Sequence, residues 1–185
     1  MSRHLRLLAF ALLLPLAAQA APLPDSVREQ LVGRLGFDGT RLRELGNGEM
    51  RWLGLSIYQA SLWSASVQFD DSVPFALSLR YSRDIPGKRL VSTSIDELKR
   101  LGLRDEVTLK RWEKLLATVF PDVREGESIV GVSLPAQGAL FFHQGRLTGE
   151  ISDPEFARAF FSIWLDSRTR APELRERLLG MRRGS

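Results

Sequence analysis

An α+β domain built on an antiparallel sheet is the fold class this sequence predicts, and three observations predict it. Residues 74–83 alternate: Phe75, Leu77, Leu79 and Tyr81 fall on one side of an extended chain, and Ser78, Arg80 and Ser82 on the other. Gly46-Asn47-Gly48 interrupts a second extended stretch, and Asn-Gly is a strong hairpin signal. Finally, the elements run as strands, a helical pair, more strands and then helices, an order that suits an antiparallel sheet.

The opening residues read as an address rather than as structure. Arg3 and Arg6 form a positive region, Leu7 to Ala18 a short apolar one, and Ala18-Gln19-Ala20 a small-x-small cleavage site. The expectation is a signal peptide over residues 1–20, a mature protein starting at Ala21, and export to the periplasm. The apolar run is short for a membrane span, and no later segment reaches the ~18 apolar residues a span needs. A retained signal acting as an anchor is the alternative.

Along the rest of the chain, residues 25–35 predict a short capped helix. Residues 40–50 predict extended chain turning at Gly46-Asn47-Gly48, and residues 51–58 and 60–69 one long strand or two bent ones. A turn at Pro86-Gly87 precedes a helix over Ser92–Leu101, with Ser94 and Glu97 placed as a capping box. The next helix runs Asp105–Phe120, with Val107, Trp112, Leu115, Leu116 and Val119 at helical spacing. Short strands follow at 128–134, 138–143 and 146–151, with turns at Gln137-Gly138 and Gln144-Gly145. Asp153-Pro154 opens a helix to Leu165 with Phe156, Phe160, Ile163 and Trp164 on its apolar face. A last helix runs from about Pro172 to Leu179 and stops at Gly180.

The chain has 185 residues and no cysteine, so stability rests on a packed core without disulfides. The residues after the signal suffice for one domain, 21–185, and no linker or repeat divides them. The formal charge of +4 falls to about +2 once Arg3 and Arg6 are removed. No basic run interleaves with aromatics, which argues against nucleic acid as a partner. Arg175, Arg177, Arg182 and Arg183 make the C-terminus basic, as solvated helix ends often are.

Catalytic signatures are scarce. There is no cysteine nucleophile, nucleophile elbow, phosphate loop or dinucleotide fingerprint. Past the signal His143 is the only histidine, at a strand end before a turn, and reads as a structural histidine rather than a haem ligand or general base. No His, Asp and Glu cluster has metal-ligand spacing, so neither metal nor cofactor is expected. Asp70-Asp71 and Asp122 read as solvated loop residues. Arg51 opens the aromatic-rich stretch to Trp63: either it is an exposed strand end, or it anchors an acidic head group under an apolar pocket. Tyr58, Trp63 and Tyr81 are either core residues with one hydrogen bond each or polar points on a pocket wall.

Several stretches, taken in order, carry a family resemblance. They are Gly48-Glu49-Met50-Arg51 with Ile57-Tyr58-Gln59-Ala60-Ser61-Leu62-Trp63, Pro74 to Tyr81 with Asp84-Ile85-Pro86-Gly87-Lys88, Phe120-Pro121-Asp122-Val123, Pro135-Ala136-Gln137-Gly138, Gly149 to Ala157, and Phe160 to Leu165. Together they resemble the chalcone isomerase-like family over roughly residues 40–180, its exported bacterial branch above all. The resemblance implies an open-faced β-sandwich, an antiparallel sheet covered on one face by helices.

It also implies a choice of functions. The enzyme branch carries an Arg, a Thr, and a helical Tyr and Asn. Arg51 matches the Arg and Leu53 falls near the Thr. Residues 92–101 hold no Tyr or Asn, and the one asparagine of the chain is Asn47 in a turn. Without those hydrogen bonds the carbonyl is not polarised, so chalcone isomerisation is not expected and no catalytic residue is assigned. The branch that binds fatty acids pairs an Arg with a Tyr against the carboxylate. On that pattern Arg51 binds the head group, Tyr58, Trp63 and Tyr81 line the pocket, and Leu55, Leu77, Leu79, Phe160 and Ile163 wrap the tail. The expectation is a periplasmic, non-catalytic binder of a fatty acid or similar amphipathic carboxylate. The alternatives are an isomerase or lyase using Arg51 with Tyr81 or His143, and an envelope interaction module. The ligand's identity and the oligomeric state are not legible.

Overall fold

The computed structural model describes residues 21–35 and 41–181; the expected signal, residues 1–20, and Arg182 and Arg183 lie outside the described residues. Six strands form one sheet: β1 (Arg43–Trp52), β2 (Leu55–Ser64), β3 (Phe75–Tyr81), β4 (Ser128–Leu134), β5 (Gly138–His143) and β6 (Arg146–Ile151). They lie in sequence order, each antiparallel to the next. The helices are α1 (Asp25–Leu35), α2 (Gly87–Leu101), α3 (Glu106–Val119), α4 (Pro154–Leu165) and α5 (Pro172–Leu178). Among the described residues no helix is long and apolar enough to cross a membrane.

Alternation sorts the sheet into two faces. Leu62, Leu77, Leu79, Ile129 and Phe141 join Leu98, Trp112, Leu116, Phe156 and Phe160 in the larger core, so α2, α3 and α4 cover this front face. On the back face Ala76, Val130, Val132, Leu140 and Phe142 meet Val27 and Leu31 of α1. The small N-terminal helix thus adds a partial cover to the otherwise open side. Ser26 and Gln30 fasten it by donating to the Gly145 carbonyl, and Arg28 donates to that of Leu42.

The first hairpin differs from the sequence expectation. Asn47 lies within β1, paired with Ser61 of β2. Its flanking glycines serve close packing instead of a turn. A Cβ on Gly46 would stand 1.9 Å from the Arg177 carbonyl oxygen, and one on Gly48 2.9 Å from Leu174 Cδ1, so α5 lies directly against this strand. The chain turns instead at Leu53-Gly54, between the paired Trp52 and Leu55. Both turn residues have positive φ, 49° and 80°, the signature of a two-residue I′ loop.

A leucine at the first of those positions is strained, because its Cβ crowds the following carbonyl. Asn tolerates that conformation, so Leu53→Asn should stabilise the fold by about 1 kcal/mol. A raised urea midpoint at unchanged slope is the expected result; a lowered midpoint contradicts the turn assignment.

Helix starts also differ in part. α2 begins at Gly87, not Ser92, because Asp122 reaches across and accepts the Gly87 N–H at 2.7 Å. Asp122 is therefore a cap rather than a solvated loop residue. It is held there by Ile85 and Val123, which exchange backbone hydrogen bonds. Ser94 caps nothing: mid-helix, its hydroxyl donates to the Leu90 carbonyl. α3 starts as expected, with Asp105 accepting from the N–H groups of Val107 and Thr108. Val107 itself is exposed, and Leu109 fills the buried position. At α4, Pro154 takes the first turn and Asp153 accepts the Phe156 N–H at 3.0 Å.

Candidate functional site

Between the front face and the helices lies a cavity of about 650 Å³, within the roughly 300–1,000 Å³ of small-molecule sites. Its inner wall is apolar: Leu77 and Leu79 of β3, Ile129 and Gly131 of β4 and Phe141 of β5 face Phe160, Phe161 and Ile163 of α4. Gly131 is small for a reason, since a Cβ there would stand 3.2 Å from the Phe161 ring.

Toward the ends of β2 and β3 the wall becomes polar. Tyr58 and Tyr81 are cross-strand partners, with rings 6.0 Å apart and edge to face. The Tyr58 hydroxyl accepts the indole N–H of Trp164 at 2.9 Å, leaving its own proton free to donate. Tyr81 is 6% exposed, and its hydroxyl has no hydrogen-bond partner among the described residues although its ring lines the cavity. Burial pushes the Tyr58 phenol up to about 12. Burial, with Tyr58 beside it, pushes Tyr81 up as well. Two phenols that stay neutral are hydrogen-bond donors throughout the physiological range.

The rim carries Arg83, Asp84, Arg89, Thr93, Glu97 and Arg170. Glu97 is engaged by Arg100 at 2.7 Å and by Arg170 at 2.8 Å. Asp84 accepts the Glu125 N–H. Arg83 and Arg89 form no ion pair or side-chain hydrogen bond with any described residue. Arg89 belongs to the first turn of α2, which holds no acidic residue. Asp122 already caps the start of α2, and the guanidinium groups of Arg83 and Arg89, which have no partner among the described residues, can hold a further anion at the rim.

The structure thus brings together some of the sequence-derived site residues and separates others. Tyr58, Tyr81, Leu77, Leu79, Phe160 and Ile163 all line the cavity. Arg51 does not line it. One residue past Met50, which does, it projects from the other side of β1, 58% exposed. There it donates to Glu49 Oε2 at 2.9 Å and to the Gly54 carbonyl at 2.7 Å, stapling the hairpin turn. Trp63 lies on the back face, packed against that core with the Arg28 guanidinium 5.1 Å from its ring centroid. Leu55 sits at the hairpin tip. His143 is also outside the cavity, bonded to Glu127 at 3.0 Å. Sequence reasoning missed Met50, Trp52, Arg83, Arg89 and Trp164. Arg83 and Arg89 flank Asp84-Ile85-Pro86-Gly87-Lys88, a stretch that the family resemblance had already singled out, and that was the available signal.

One antiparallel sheet, roofed by helices over an apolar cavity with a basic rim, defines an α+β domain with a cleft of small-molecule size. The chain belongs to the chalcone isomerase-like family, whose model matches residues 40–180. It is 30% identical over 137 residues to an uncharacterized protein of Haemophilus influenzae, a match covering 74% of this chain and 67% of that protein. Among solved structures it is similar to a fatty-acid binding protein of Arabidopsis thaliana, with a TM-score of 0.57 and 13% identity, over 76% of this chain and 87% of that one. At that identity the likeness concerns the fold.

Proposed function

We propose that the cavity binds a fatty acid or a similar single-chain amphipathic carboxylate without transforming it, and that the protein does so in the periplasm. The observation that carries this reading is the polarity gradient of the cavity, from an aliphatic and phenylalanine-lined interior to two neutral phenols and two guanidinium groups without a partner among the described residues. An acyl chain gains about 0.8 kcal/mol per buried methylene in such an interior. Its carboxylate, at the other end, accepts from Tyr81, Tyr58, Arg83 and Arg89. The similar plant structure, that of a fatty-acid binding protein, supports the same ligand class. The signal-like pattern of residues 1–20, with Ala18-Gln19-Ala20 before Ala21, is the ground for proposing export.

The experiment is steric. Leu79 is buried in the cavity wall, and Leu79→Trp puts an indole where the acyl chain would lie. Titration with saturated carboxylates of increasing length should show binding by the parent chain, strengthening with each added methylene until the cavity is full. The variant should lose that binding at unchanged far-ultraviolet circular dichroism. Equal affinity in both proteins contradicts the reading.

A further inference from the structure

We propose that the β1–β2 hairpin tip is a membrane-docking element that seats the cavity rim on an anionic phospholipid surface; this rests on the ligand reading for its purpose, though not for its test. Trp52, Leu53 and Leu55 are 48%, 88% and 55% exposed, three large apolar side chains around a single turn. The other exposed large apolar side chains among the described residues, Val32, Val67, Val107 and Met181, lie far apart in sequence. Scattered apolar residues need no explanation, but a cluster marks a contact surface. Solubility would favour a polar turn, and the positive φ of Leu53 would favour Asn, so neither accounts for leucine here. Trp beside aliphatic side chains suits the boundary between head groups and acyl chains.

Charge selects the kind of surface. The Arg170 guanidinium lies 5.6 Å from the Trp52 ring centroid, and Arg51 is bonded to the turn itself. The Ser56–Ser82 hydroxyl bond, 2.9 Å, ties the hairpin to the segment that leads into Arg83. Trp52, Arg83, Arg89 and Arg170 all border the same cavity. Glu49 is paired with Arg51 and Glu97 with Arg100 and Arg170, while Asp84 accepts the Glu125 N–H and keeps its charge. The cavity lining still carries three arginines, Arg83, Arg89 and Arg170, against two carboxylates, Asp84 and Glu97, so its net charge is cationic, which complements anionic lipid. A tip inserted among head groups would leave the rim facing the source of acyl chains.

Co-sedimentation of the mature chain with vesicles of equal phosphatidylglycerol and phosphatidylcholine tests this, compared with vesicles of phosphatidylcholine alone. Binding to the anionic vesicles is expected, weakened by salt. The double variant Leu53→Asn, Leu55→Gln should lower the partition coefficient roughly tenfold or more. Neither residue lines the cavity, so binding of monomeric fatty acid in solution should be unchanged. Failure of the wild type to sediment, or equal sedimentation of the variant, overturns docking while leaving the ligand reading intact. A wild-type dimer that the variant dissolves, without vesicle binding, also overturns it, assigning the tip to self-association. Tip-dependent sedimentation without fatty-acid binding would uphold docking and sink the ligand reading.

Discussion

Replacing Arg83 and Arg89 together by alanine is expected to weaken binding of a long-chain carboxylate by roughly 10- to 100-fold. Each guanidinium offers a charge-assisted hydrogen bond to the head group, and such bonds contribute about 1.5–3 kcal/mol where shielded. Both arginines are exposed, so solvent screening lowers each contribution to about 0.7–1.4 kcal/mol, which together give the 10- to 100-fold loss. Neither is paired with a described residue, so their removal orphans no partner and the fold should keep its urea midpoint. Arg51→Met is the matched control. It deletes a guanidinium that staples the hairpin outside the cavity, and affinity should not change.

The tyrosines add a pH signature. With Tyr58 pushed up to about 12 by burial, and Tyr81 raised by burial and its neighbour, neither loses its donor proton between roughly pH 6 and 9. Affinity should be level across that window. A loss of affinity in step with mildly alkaline titration would mean that another group holds the carboxylate. Loss of binding in Arg51→Met, with Arg83→Ala/Arg89→Ala unaffected, would return the anchor to the hairpin.

The largest expected effect on stability comes from Asp153→Ala, a loss of about 2–4 kcal/mol. One carboxylate does three things here. It accepts the Phe156 N–H at 3.0 Å and so caps α4, it accepts the Trp112 indole N–H at 3.0 Å, and it pairs with Arg111 at 3.0 Å. Losing a cap costs about 1 kcal/mol. Leaving the indole N–H of Trp112 (2% exposed) without its acceptor costs about 1–3 kcal/mol more. Burial works against ionised Asp153, yet the Phe156 and Trp112 hydrogen bonds and Arg111 outweigh it and hold the carboxyl below its ordinary range. A depressed carboxylate stabilises the folded state above its unfolded pKa, and that contribution is lost as pH falls through the folded value. The parent chain should therefore lose stability in acid, and the variant should lose less over the same interval. Urea unfolding at neutral and acid pH measures both. A loss under about 1 kcal/mol at neutral pH would mean that α3 and α4 are joined by apolar contact alone.

Much of the architecture was legible because local patterns and tertiary packing agree. The alternation of Phe75 to Tyr81 placed β3 and the side chains it turns to the larger core, and Asp105 and Asp153-Pro154 marked helix starts that the structure keeps. The errors came where packing overrides local preference. Gly46-Asn47-Gly48 has turn chemistry, but its missing side chains serve the approach of α5, while the real turn uses Leu53, a residue turn chemistry disfavours. α2 starts at a cap supplied 35 residues later by Asp122, which no local pattern reveals.

Within the site, parity explains the rest. Tyr58 and Trp63 are both in β2 but an odd number of residues apart, so one strand cannot point both into the same cavity. That exclusion was available from the sequence. The position of Arg51 was not, because it depends on where the hairpin turns. Arg83 and Arg89 were hidden for another reason: exposed arginines near a loop look like ordinary solvated charges until the cavity beside them is seen.

Native mass spectrometry most directly tests the central claim that this cavity holds an amphipathic carboxylate. Protein purified without detergent, with and without added long-chain fatty acid, would be compared with Leu79→Trp and with Arg83→Ala/Arg89→Ala. A single bound acyl chain in the parent protein, absent or much reduced in both variants, is the result the account predicts. A parent protein that stays at its apo mass with every chain length, or variants that retain the ligand, would contradict it.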